Sequence, residues 1–227
     1  MRFAALSFIC LAVTSLAATP ALLADYNSQS EKISDMNRNN PLQSPQLDKS
    51  ADILGRRMLD RKNKVVGSIQ DIVLNENGNI AYLNVKFDRM QLSRPVFVNY
   101  SRFNVSTVSN GYAMTMNDDE IEALYPELLA DIETAAGEDD TYSLRKLQGM
   151  KVSTLAGRDI GTIEDVLFGA NGKRAEAIYV KMSSGNLRGK GVAIPFGEVD
   201  FANSAMTRQA SITEDTARAM SDVAKAQ

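Results

Sequence analysis

The chain has 227 residues, with 25 Lys and Arg against 28 Asp and Glu, a formal net charge of −3, no histidine, no tryptophan and one cysteine. That length suits one large domain or two small ones, and without histidine there is no Ser-His-Asp triad, no Cys-His pair and no His-ligated zinc, iron or copper centre. The near-balanced charge argues against a dedicated nucleic-acid binder, which carries a concentrated basic excess.

The chain opens MRFAALSFICLAVTSLAATPALLADY: one positive charge at Arg2, an apolar stretch from Phe3, then small residues before the first acid, Asp25. This layout predicts a secretory signal peptide over residues 1–24, cut after Ala18 or Ala24, and hence a periplasmic protein. The competing reading is an uncleaved anchor, since Phe3 to Ala24 is long enough to span a bilayer. Cys10 lies inside this segment, so the cleaved chain has neither disulfide nor thiol chemistry and folds by packing alone. Residues 25–50 are rich in Asn, Gln and Ser with almost no apolar periodicity, and read as a disordered leader.

From residue 51 the chain repeats itself. Gly55 to Gly67 is twelve positions, as is Gly149 to Gly161; Gly67 to Gly78 is eleven, as is Gly161 to Gly172. Ile69 and Asp71 recur as Ile163 and Asp165, and LNVKF (83–87) and VFVNY (96–100) recur as IYVKM (178–182) and VAIPF (192–196). Each repeat reads as β: an apolar run into Asn-Gly, suited to a tight hairpin turn, and a return strand in which Leu83, Val85 and Phe87 alternate with polar residues. The repeats span 51–116 and 143–212, each a small barrel or curled sheet. Asn117 and Thr213, each followed by acids, start a helix: an acidic helical connector over 117–142 and a C-terminal helix over 213–227.

These residues resemble the PRC-barrel family, named for the cytoplasmic domain of the photosynthetic reaction centre H subunit. The likeness rests on Leu54-Gly55, GSIQDI (67–72), ENGN (76–79), GTIEDV (161–166), ANGK (170–173) and VAIPF (192–196), although Asn99 stands in the first repeat where Pro195 stands in the second. The resemblance implies a mainly β fold of two tandem PRC-barrel-like β-barrels, each followed by a short helix. It also implies a protein that works by holding partners, and it carries over no catalytic residue.

Asp71 and Asp165 are the only acids repeated in the strand motif; a carboxylate for proton transfer is the functional reading and a fold-stabilising acceptor the favoured one. Gly55, Gly67, Gly78, Gly149, Gly161, Gly172 and Pro195 complete the structural motif. A basic cluster, Arg56, Arg57, Arg61, Lys62 and Lys64, with Arg188 and Lys190 in the glycine-rich loop 183–191, is the candidate binding surface for anionic lipid at a membrane surface, a polyanion or an acidic protein partner. The acid-rich stretch 118–140 either faces this cluster within the molecule or pairs with it between molecules, or each is a solvated face. No cofactor or metal is expected. The sequence therefore predicts a non-enzymatic binding or scaffolding module with a protein partner in the cell envelope. A carboxylate-based hydrolase and a small-ligand carrier are the alternatives.

Overall fold

The computed structural model describes residues 20–89, 95–109, 111–129, 141–170, 172–183, 185–204 and 207–227, of which 20–25 and 202–208 are described by their backbone. The first of these segments corrects the expectation for the leader. Residues 25–50 are ordered: helix α1 runs Pro20–Asn37, a 3-10 turn covers Pro41–Gln43, and strand β1 (Leu47–Lys49) leads into helix α2 (Ser50–Ile53). The sparse apolar residues that suggested disorder are each used, with Ile33 and Pro41 buried and Met36, Leu42 and Leu47 packed against Leu167, Ala177 and Ala193. Residues 1–19 of the signal peptide expected over 1–24 lie outside the described residues.

Each repeat forms one sheet. The first contains β2 (Arg57–Leu59), β3 (Val65–Asn75), β4 (Ile80–Phe87), β5 (Val96–Asn99), β6 (Ser106–Val108) and β7 (Gly111–Ala113), in the order β5-β4-β3-β2-β7-β6. The second contains β9 (Lys151–Thr154), β10 (Asp159–Gly169), β11 (Ala175–Met182), β12 (Gly191–Pro195), β13 (Asp200–Ser204) and β14 (Thr207–Ile212), in the equivalent order β12-β11-β10-β9-β14-β13. Long strands β3 and β10 each carry register shifts against β4 and β11, at Ile69/Asp71 and Ile163/Asp165, and such bulges bend a strand. Gly67 and Gly161 permit the close approach there, since a Cβ would lie 2.5 Å from the Lys86 carbonyl and 2.2 Å from that of Lys181.

The expected barrels do not close. The end strands of each sheet are not hydrogen-bonded to each other. The chain between β5 and β6 spans that seam and buries Phe103 and Val105 in the core; between β12 and β13, Phe196 and Val199 do the same. Apolar loop side chains occupy the side on which a closed barrel would need a further ladder.

A second departure from the repeat boundaries involves the short strands before each unit. Strand β1, preceding the first repeat, pairs with β10 of the second, and β8 (Thr141–Ser143), preceding the second, pairs with β3 of the first. The registers correspond: Lys49 faces Leu167 and Ser143 faces Val73. The halves thus exchange arms, and each sheet reaches seven strands only with the other's contribution. Their hairpin turns also meet, with the Ala175 N–H donating to the Gly78 carbonyl at 2.8 Å, Arg174 Nε to Asn77 at 3.1 Å and the Tyr112 hydroxyl to Gly172 at 3.0 Å. One contiguous apolar core runs through both sheets.

The connector is helical over Asp118–Ala123 (α3) and again over 125–129; residues 130–140 lie outside the described residues, and Thr141 and Tyr142 belong to β8. Asn117 and Glu120 form a reciprocal capping box at α3. Helix α4 (Leu144–Leu147) follows β8, and the C-terminal helix α5 (Glu214–Ala226) starts at Thr213, whose side chain accepts from the Thr216 N–H.

Candidate functional site

Asp71 and Asp165 sit at equivalent bulges and perform the same task, fastening the arm that arrives from the other half. Asp165 is buried; one of its oxygens accepts from the backbone N–H groups of Ser50, at 3.1 Å, and Val166, at 2.8 Å, and from the Ser50 hydroxyl. Gln148, from the second repeat, donates to the same Ser50 hydroxyl oxygen at 2.7 Å. Asp71 is half-buried and accepts from the Ser143 hydroxyl at 2.5 Å and the backbone N–H groups of Ile72 and Arg145 at 2.9 and 3.2 Å. Both carboxylates are engaged by local and cross-unit donors. Ser50 and Ser143 were not singled out in the sequence, although their shared spacing of twenty-one and twenty-two residues before Asp71 and Asp165 was visible there.

The basic cluster and the acidic connector meet within the molecule. Arg61 pairs with Glu120 at 3.3 Å, Lys64 with Asp118 at 2.8 Å, and Arg89 with Asp118 and Asp119 at 3.3 and 2.9 Å. The Asp119 hydrogen bond is the largest influence raising the Arg89 pKa above its ordinary value. Arg56 is held between Asp48, at 3.1 Å, and the Asp52 carbonyl. Arg57 and Lys62 are exposed, and Arg57 lines a shallow 440 Å³ depression with Gly55, Arg56 and Ser109. Arg188 and Lys190 belong to the other sheet's β11–β12 connection: Arg188 is exposed, while Lys190 Nζ donates to the Ala224 carbonyl at 2.6 Å near the end of α5. The seven cations are divided between two sheets, and four of them are occupied by partners in the chain.

Among the described residues, two concavities lie along α1. On one side a cleft of 820 Å³ has Met36, Leu47, Pro195 and Phe196 among its lining, with Lys32, Arg174, Glu176 and Glu198 at charged positions around them. On the other side a cleft of 720 Å³ lies between α1 and α5, floored by Tyr179 and Gly191. Burial first, then the Glu164 charge, raises the Tyr179 pKa; its hydroxyl lies where a Cβ at Gly191 would be, at 2.0 Å. Between the clefts α1 lies on β12, the end strand of its sheet, and the Asn37 amide bonds both the C=O and the N–H of Ala193, at 2.7 and 2.8 Å. Gln227 donates to the Gly191 carbonyl at 3.2 Å. Two side-chain amides therefore stand where the next strand of the sheet would bond. No sequence signal marked Asn37 or Gln227, because each acts through an edge defined by strands remote in the chain.

Two further groups depart from ordinary titration. Burial pushes the Tyr112 hydroxyl above the usual tyrosine range, and hydrogen bonds from Thr154 and then Arg158 hold Glu214 below the usual carboxylate range at the start of α5. Among the described residues no cluster of His, Cys, Asp or Glu side chains could hold a metal ion, and no helix is long and apolar enough to cross a membrane.

Comparison with known families places one part of this arrangement. Residues 139–210 match the family model of the PRC-barrel domain. The matched span runs from just before β8 into β14, so Pro195 and Phe196 of the cleft, the β12 edge and Asp165 all fall within the match. Its first strand, β8, is given to the other sheet, and its own sheet is completed by β1 from outside the matched span. The first repeat, with the same strand order, lies outside the match. No curated protein matches the chain.

Proposed function

We propose that this protein is a non-enzymatic binding or scaffolding module of the cell envelope, with a second, diverged PRC-barrel-like unit in its first half, and that it holds a protein partner. The observation that carries the reading is the cleft between α1 and the PRC-barrel domain: an apolar floor of Met36, Leu47, Pro195 and Phe196 with charges of both signs around it. Apolar anchoring surrounded by a polar rim is the pattern of a protein-recognition surface. The engagement of Asp71 and Asp165 in fastening the arms favours this reading over a carboxylate-based hydrolase, whose acids must be presented to a substrate. The intramolecular pairing of Arg61 and Lys64 moves the expected surface away from the basic cluster and toward this cleft.

The test is affinity capture from envelope extract with the full chain, compared with a Lys32→Glu, Glu176→Lys variant in which two exposed charges of the cleft are reversed. The wild type recovers a defined partner that the variant loses while its melting temperature is unchanged. Recovery of nothing across salt conditions, or equal recovery by both, refutes the proposal. Sequencing the N-terminus of the exported protein tests the signal peptide.

A further inference from the structure

We propose that the outer edge of β12 is a strand-docking surface held shut by α1, and that its ligand is an extended peptide segment of a partner protein, which displaces α1 and adds to the sheet. The inference rests on the binding reading above only in that a protein partner is held; because Lys32 and Met36 leave with α1, the β12 edge rather than the α1-lined cleft is then the docking surface.

Three observations converge on this edge. The first is its hydrogen-bonding pattern. Ala193 turns both its N–H and its C=O away from β11, and these groups, with the Gly191 carbonyl, are satisfied by side-chain amides of Asn37 and Gln227. Outward groups at alternate residues are what an added antiparallel strand bonds, so an extended segment can take over both bonds that Asn37 makes to Ala193. Pro195 has no N–H to offer and limits the ladder to Gly191–Pro195.

The second is the surface beside the edge. Leu167, Ala177 and Ala193 are fully buried only because Met36, Leu42 and Leu47 of the N-terminal arm lie against them. At two of the three corresponding positions the first sheet carries a much larger side chain, Tyr82 for Ala177 and Phe97 for Ala193, with the two aromatic rings meeting edge-on at 6.4 Å, while Val73 stands for Leu167. Small residues in the PRC-barrel domain leave room for something laid over them, whereas aromatic bulk takes up that room in the first sheet.

The third is the way α1 is held. Of its side chains from Tyr26 to Asn37, only Ile33 is buried; Asn27, Ser28, Glu31, Lys32, Ser34 and Asp35 are exposed. Ser and Asn favour caps and turns over helix interiors. Clefts of 720 and 820 Å³ run along its two flanks. Ile33 is its one fully buried side chain, and its ties elsewhere, Tyr26 to Asp222 and Arg218 of α5 and Gln29 to Glu198, are polar or cation–π contacts of partly exposed groups; an element held this way opens without unfolding the rest. The arm's firmer attachment lies further on, where β1 pairs with β10 and Ser50 meets Asp165, so α1 can leave while β1 stays.

Hydrogen exchange on the full wild-type chain, read by mass spectrometry, tests the opening. Amides of 30–37 should exchange at least ~100-fold faster than those of β10 and β11, because α1 opens below the global unfolding free energy. Equal protection overturns the proposal, and this measurement holds even if a variant fails to fold. A phage-displayed library of random peptides is then panned on the wild type and on Asn37→Ala. The variant should recover ~10-fold more binders, carrying apolar residues at alternate positions and protecting the Ala193 amide from exchange, as strand addition requires. Equal recovery, or binders that leave Ala193 unprotected, overturns it. A wild-type chain that captures a partner from extract while α1 is as protected as β10 keeps the binding reading and loses this one.

Discussion

Asp165→Ala should be among the most destabilising single substitutions in the protein, and clearly worse than Asp71→Ala. Removing the buried Asp165 carboxylate strands the Ser50 and Val166 N–H groups and leaves the Ser50 hydroxyl without its acceptor. Each buried donor left unpaired costs about 1–3 kcal/mol, and relief of the carboxylate's own desolvation offsets part of the sum, leaving about 3 kcal/mol. Asp71 has a similar set of donors but is half-buried, so water reaches them and the loss falls to about 1 kcal/mol. At about 2–4 °C per kcal/mol for a chain of this size, the melting temperature should fall by about 6–12 °C in Asp165→Ala and by about 2–4 °C in Asp71→Ala. Thermal and urea melts followed by circular dichroism read both. A double variant with Ser50→Ala should recover about 1 kcal/mol, because the hydroxyl that lost its acceptor is then gone. Equal losses for the two aspartates, or a drop in Asp165→Ala below about 2 °C, would show that Asp165 does not fasten the arm as described.

Gly78→Ala should cost about 3 kcal/mol or more by thermal melt, combining positive-φ strain with a Cβ placed 2.6 Å from the Ala175 carbonyl, whereas Gly149→Ala, at φ +80 with open space, should cost about 1 kcal/mol. The raised Tyr112 pKa sets a sign: below about pH 10 the tyrosine is neutral in both states, and above it the unfolded chain ionises first, so stability falls as pH rises. Tyr112→Phe should flatten that slope in urea melts between about pH 9 and 11, at a cost of about 1 kcal/mol for the lost bond to Gly172. Arg61→Ala and Lys64→Ala break exposed pairs with α3 and should each cost no more than about 1 kcal/mol in low salt, vanishing at about 1 M NaCl. A larger, salt-insensitive loss would mean that these cations do more than neutralise the connector.

The strand content, the hairpin turns and the helix starts were legible because each depends on neighbours in sequence. Alternation in Leu83, Val85 and Phe87, Asn77-Gly78 at a turn and Asn117 before three acids all act within a few residues. The leader was misread for the same reason. Its composition offers no periodic apolar face, and its order comes from a surface of Leu167, Ala177 and Ala193 over a hundred residues away.

The sequence by itself determined a mainly β chain and marked Asp71 and Asp165 within stretches of matching glycine spacing, since spacing and local turn chemistry are written along the chain. Tertiary structure alone decided that the two halves exchange arms, that the sheets stop short of closure, and that Arg61 and Lys64 of the basic cluster pair with the acidic connector. It also decided which polar residues matter at the β12 edge. Asn37 and Gln227 carry no motif, and they gain a role only because folding leaves a strand whose backbone groups need partners. Backbone hydrogen-bonding capacity is the same at nearly every residue; which groups end up at an edge, and what covers them, is a property of the assembled sheet.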